Sequence, residues 1–120
     1  MFNPINNLTI IDTDFTNIRT DSIAVIQCIS HDLTLINVNF AFTMNQNDES
    51  SIILFDSGDN NRKLIIKDVI FTLCIAFNNI LSIKGQETKV ELNRLVLNNN
   101  NIQRAIIEFE SQYVTKYNNY

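Results

Sequence analysis

Glycine and proline are nearly missing, at two and one residues in a chain of 120. Turns that need a left-handed backbone must be made by another residue, and Asn is among the side chains that tolerate that conformation best. Cysteine is almost as scarce. Cys28 and Cys74 alone can build neither a disulfide framework nor a four-thiolate zinc site. Basic charge is short as well. Nine Lys and Arg stand against thirteen Asp and Glu, and a sequence pI near 4.7 argues against binding to DNA, RNA or an anionic membrane. No stretch approaches the roughly 18 apolar residues of a membrane span. Residues 1–7 lack the positive start and apolar run of a signal peptide. What is left is one modest domain, 45% hydrophobic, long enough to bury about two thirds of its unfolded surface without staples.

Asn and Ile are abundant, nineteen of each, and their placement is more informative than their number. Segments beginning at Leu8, Leu33, Leu64 and Val90 recur at spacings of 25, 31 and 26 residues, the mark of a repeat architecture. Aligned on these starts, four columns emerge: Leu8, Leu33, Leu64, Val90; Ile10, Leu35, Ile66, Leu92; Thr13, Val38, Val69, Leu95; and Phe15, Phe40, Phe71, Leu97. Fifteen of the sixteen members are apolar, where a composition of 45% would supply about seven. Between the second and third columns the inward set changes parity. On a strand that requires a corner, placed at Ile11-Asp12, Ile36-Asn37, Lys67-Asp68 and Asn93-Arg94. A third alternating segment follows in each unit: Ile26-Gln27-Cys28, Ile53-Leu54-Phe55, Leu81-Ser82-Ile83 and Ile107-Glu108-Phe109.

These features predict an all-β parallel β-helix of about four coils with three short strands per coil, the coils covering about 7–31, 32–62, 63–88 and 89–113. Each residue then stacks on its counterpart one coil away, about 4.8 Å along the axis. Phe15, Phe40, Phe71 and Leu97 are expected to be buried in one stack. The strings from Asn7 to Asn17 and from Asp32 to Phe40 resemble coils of the right-handed parallel β-helix, or pectin-lyase-like, superfamily, in its Asn- and Ile-rich surface-protein form. That resemblance covers about residues 5–112. It implies a right-handed solenoid scaffold and an extracellular or cell-surface setting. The Asn-Thr-Asp, Asp-Asp, Gly-His-Gly and Arg-Ile-Lys motifs of the family's pectin-cleaving members do not occur in this sequence. A rival exists, because residues 92–102 fit the leucine-rich-repeat string at every defined position. The other units place Ile18, Thr43 and Cys74 where its Asn ladder would run, and their second halves alternate as strands do.

Candidate chemistry is sparse. His31 is the single imidazole, and Ser30 and Asp32 beside it imitate a triad only in sequence, since triad members meet across a fold. Asp12, Asn37, Asp68 and Arg94 share the corner column, which sets Asp12 about 10 Å from Asp68, near the upper range for an inverting glycosidase pair. Polar corners are nonetheless the default for solvated turns. Asp48, Glu49 and the run Asp56 to Asn61 offer oxygen ligands of the kind calcium takes. The spacing misses the EF-hand pattern, with Arg62 at the seventh place. Cys28 and Cys74 read as free, buried thiols two coils apart. Asn7-Leu8-Thr9 is a glycosylation sequon, but Thr9 opens a strand. The expectation is a non-enzymatic scaffold without catalytic residues, cofactor or metal, a piece of a longer repeat protein, whose partners are proteins or further copies stacked at its ends or edges. The competing reading is a carbohydrate-binding or carbohydrate-cleaving module.

Overall fold

The computed structural model describes residues 7–119, and side chains over 7–110. Eleven strands follow one another: β1 (Asn7–Thr16), β2 (Arg19–Thr20), β3 (Ala24–Ile29), β4 (Asp32–Ala41), β5 (Met44–Asn45), β6 (Ser51–Asp56), β7 (Asn61–Thr72), β8 (Ile75–Ala76), β9 (Asn79–Asn98), β10 (Asn101–Ile102) and β11 (Ile107–Asn119). All pairings are parallel, with β1 on β4, β4 on β7, β7 on β9, and β3 on β6 on β9. A small sheet runs β10-β8-β5-β2. Parallel neighbours whose partners lie a constant 25, 31 or 26 residues away can arise only if the chain winds, so the molecule is a β-solenoid of about four turns. Residues 17–26 and 98–106, where a leucine-rich repeat would carry helix, hold short strands and turns instead.

The register matches the sequence columns residue for residue: Leu8 on Leu33 on Leu64 on Val90, and Phe15 on Phe40 on Phe71 on Leu97. The details differ in three ways. First, the parity switch does not separate two strands. It is a left-handed kink inside one long strand, with φ of 52°, 54°, 53° and 65° at Asp12, Asn37, Asp68 and Arg94. Second, a coil gains the two-residue strands β2, β5, β8 and β10, too short to leave an alternating pattern. Third, β7 and β9 run without a break across the passage from one coil to the next.

The core lies between the sheets. Leu33, Leu35, Phe40, Leu64, Val69, Phe55 and Ile83 are sealed, and the Phe15, Phe40 and Phe71 rings stack at 4.9 and 4.7 Å, within 10° of parallel. The ladder spacing itself dictates that separation. Leu97 departs from expectation. It is 37% exposed, and Phe15 is half-buried. Each stands at an end of its column, and a stacked core covers a residue only where a further turn lies over it. Burying each sealed aliphatic or aromatic side chain contributes about 1.5–3 kcal/mol, so the middle turns hold the fold.

Candidate interaction surfaces

The corner column is the place where sequence reasoning set its one catalytic alternative. Asn37 Nδ2 donates to Asp12 Oδ1 at 2.7 Å, and Arg94 Nη1 lies 3.8 Å from Asp68 Oδ1. Each polar group is therefore tied to its neighbour one turn away. His31 is exposed, with Nδ1 2.6 Å from the carbonyl of Ile29 on its own corner. Ser30, in the left-handed conformation, sends its backbone N–H to the carbonyl of Asp56. The acidic segments do not converge. Asp48 and Glu49 precede β6 and the run Asp56 to Asn61 begins at its last residue, so the extended strand, about 20 Å long, holds the two segments apart. Asp56 Oδ1 accepts from the N–H of Gly58, forming the turn itself. Among the described residues no group of three or more His, Cys, Asp or Glu is placed to hold a metal ion. No helix among them is long and apolar enough to cross a membrane.

Cys28 and Cys74 are both free and buried, as expected. Burial pushes both thiols above their ordinary value, so neither is primed as a nucleophile. Cys74 has a role the sequence did not reveal. Thr43 Oγ1 donates to the carbonyl of Phe15 at 3.3 Å, Cys74 Sγ to that of Phe40 at 3.5 Å, and Asn100 Nδ2 to that of Phe71 at 3.0 Å. Three different donors do one job, satisfying the carbonyl behind each phenylalanine of the stack. Its signal was present as the column Ile18, Thr43, Cys74, Asn100. The unlike chemistry of its members concealed it.

A second missed feature lies one residue earlier. Asn17, Phe42, Leu73 and Asn99 form a column with φ of 57°, 53°, 52° and 53°. In that conformation Asn17, Phe42 and Leu73 turn their N–H groups to Ala41, Thr72 and Asn98 in the next turn. Asn suits the left-handed region, but a bulky side chain there costs about 1–2 kcal/mol. Phe42 is also 56% exposed and Leu73 43%. With Ile18, Met44 and Ile75 they line a shallow hollow of about 430 Å³ on the small-sheet side, where Arg19 Nη2 approaches Met44 Sδ at 3.6 Å.

The ends are the third surface. At one end β1 is a sheet edge with Leu8 39% exposed. At the other, Leu97 and Ile106 are exposed, and Asn99, Asn100, Ile102 and Arg104 join them around an open hollow. No family model, no curated protein and no solved structure matches the chain.

Proposed function

We propose that this chain is a non-enzymatic structural scaffold of the right-handed, pectin-lyase-like type, and that its partners are proteins. The observation that carries the reading is where unsatisfied surface lies. The polar corner groups are paired among themselves, Asp12 with Asn37 and Asp68 with Arg94. Apolar side chains face outward at Leu8, Leu97 and the Phe42–Leu73 stripe, and β1 is an edge strand among the described residues. An open strand edge is a template for another strand, and exposed apolar patches mark contact sites. A carbohydrate-cleaving module would instead need convergent carboxylates on one groove.

Incubation with a panel of acidic polysaccharides, read as unsaturated or reducing ends, tests the choice. No turnover is expected. Turnover that vanishes in Asp12→Ala or Asp68→Ala while thermal stability holds would make the corner column an active site and overturn the scaffold.

A further inference from the structure

We infer that the outer face of the long sheet is a self-complementary docking surface, and that its partner is a second copy of this chain, packed face to face with the two solenoid axes antiparallel. The inference rests on the scaffold reading and names a partner for it. The face is a flank of the solenoid, so it requires neither end to be free.

The ladder builds this face row by row. Residues 7–12, 32–37, 63–68 and 89–94 lie side by side in β1, β4, β7 and β9. In the two middle rows the inward members are sealed in the core, while Thr34, Ile36 and Ile65 between them are half-buried on the outer side. Ile11, in the first row, is 50% exposed. An apolar centre ringed by polar side chains is the anatomy of a protein interface.

Charge identifies the partner. The first two rows hold Asp12 and Asp32 and no base, a net −2. The third and fourth hold Lys63, Lys67, Lys89 and Arg94 against Asp68 and Glu91, a net +2. A wider frame keeps the division. Continuing the rows to residues 16, 41, 72 and 98 adds only Asp14, on the acidic side, and starting the last two rows at Asn61 and Glu87 adds Arg62 and Glu87, which cancel. Residues 115–119 of β11 extend the basic side along 89–93 by one strand, whose sequence holds Lys116 and no acid. A face acidic on one half and basic on the other attracts its own copy turned end for end.

Register then fixes which groups meet. A two-fold axis parallel to the strands, between the second and third rows, lays row one on row four and row two on row three. Asp12 then faces the partner's Arg94, Asp32 faces the partner's Lys63, and Thr34 faces the partner's Ile65. Asn37 falls on the partner's Asp68, Thr9 on the partner's Glu91 and Ile36 on the partner's Lys67, so no like charges meet. Sheets packed face to face stand about 10 Å apart, a gap that Lys and Arg side chains span. The other two-fold, along the solenoid axis, sets acidic rows on acidic rows and basic rows on basic ones. Four strands of six residues give a face of about 20 by 19 Å, or about 400 Å² in plan, against roughly 800 Å² per partner in a standard stable interface. The dimer is therefore weak and forms at high protein concentration. Because both copies use the same face, association stops at two.

Sedimentation velocity over a concentration series up to about 1 mM tests this with the wild type, Lys63→Glu, Asp12→Arg, Arg94→Asp and an equimolar mixture of the last two. Glu49→Lys, an exposed change outside the long sheet, alters net charge as much as Asp12→Arg and serves as control. Circular dichroism checks that each variant keeps its strands. Lys63 is an exposed strand residue, so its variant keeps the test decisive should a corner variant fail to fold. The wild type is expected to pass from monomer to dimer with nothing larger, and added salt should weaken the dimer. Each face variant alone, now opposing like charges twice per dimer, should need about tenfold more protein. The mixture should return to wild-type behaviour, because position 12 of either variant meets the opposite charge at position 94 of the other, and Glu49→Lys should match the wild type. A wild type that stays monomeric, growth beyond the dimer, face variants that associate as well as the wild type, a mixture no better than its components, or a control as impaired as Asp12→Arg each overturns the inference. None of these touches the scaffold reading, which fails only by the polysaccharide assay.

Discussion

Phe40 and Phe15 occupy the same column, yet their neighbours differ, and the difference sets what each contributes. Phe40 is sealed, with a ring against each face, whereas Phe15 stacks on one side only. Phe40→Ala should lower unfolding free energy by about 3–5 kcal/mol, the range for a core aromatic, and Phe15→Ala by less than half of that, measured by chemical denaturation. Phe42 reverses the usual expectation for an aromatic. Its backbone is left-handed, its ring is mostly in water, and Asn holds the equivalent place at positions 17 and 99. Phe42→Asn should therefore leave stability unchanged or raise it by about 1 kcal/mol. A loss above about 1 kcal/mol in the same denaturation assay would show that the ring is held by its own chain. A side chain kept against both strain and exposure is the kind of outlier from which function is inferred.

At the level of strands, the kinks and corners are what turn a flat ladder into a winding one. The chain achieves this with Asp, Asn, Arg and Ser in most left-handed positions, Phe42 and Leu73 in two more, and glycine at Gly58 and Gly85. Gly85, with φ of 106°, sits inside β9 where the third turn passes into the fourth. A Cβ there would collide with Ser57 Oγ and approach the backbone N of Ser57 at 2.7 Å and of Gly58 at 2.8 Å. Gly85→Ala should cost at least about 1–3 kcal/mol from backbone strain alone, and more because two of the atoms it meets are main chain. Thermal melting reads this directly. An unchanged midpoint would mean that the passage between turns is looser than its contacts indicate. Gly58, whose nearest atom is the end of the Ser30 side chain, has more room to give.

For the molecule as a whole, the two thiols report on how tightly the solenoid closes. Both are buried and both are raised above 9.0, first by desolvation. The folded state thus holds these protons more firmly than the unfolded chain. Their contribution to stability is complete below pH 9.0 and is lost as pH climbs from there through the folded values. Denaturation midpoints should accordingly decline on the alkaline side of pH 9 and show no thiol-dependent change from pH 6 to 8. In that lower range a thiol reagent should modify Cys74 only as fast as the protein unfolds. Rapid modification of Cys74 in the native state would mean that the turns part locally.

The sequence alone determined the solenoid. Spacings of 25, 31 and 26 residues, the four apolar columns and the parity switch all survive in the ladder, because parallel stacking at a fixed rise forces like residues into register. It also placed Asp12, Asn37, Asp68 and Arg94 in one corner column and marked both cysteines as buried. Tertiary structure alone decided the rest. The Thr43, Cys74 and Asn100 ladder was illegible because three unlike side chains perform one task, defined by a carbonyl that lies a full turn away. The left-handed stripe at Phe42 and Leu73 was illegible because backbone conformation at a corner follows from hydrogen bonds to the next turn, not from the residue that adopts it. Leu97 is exposed against its column for a related reason. Its own column is apolar throughout, but burial in a stack depends on what lies above a residue, and that is a property of the assembled turns.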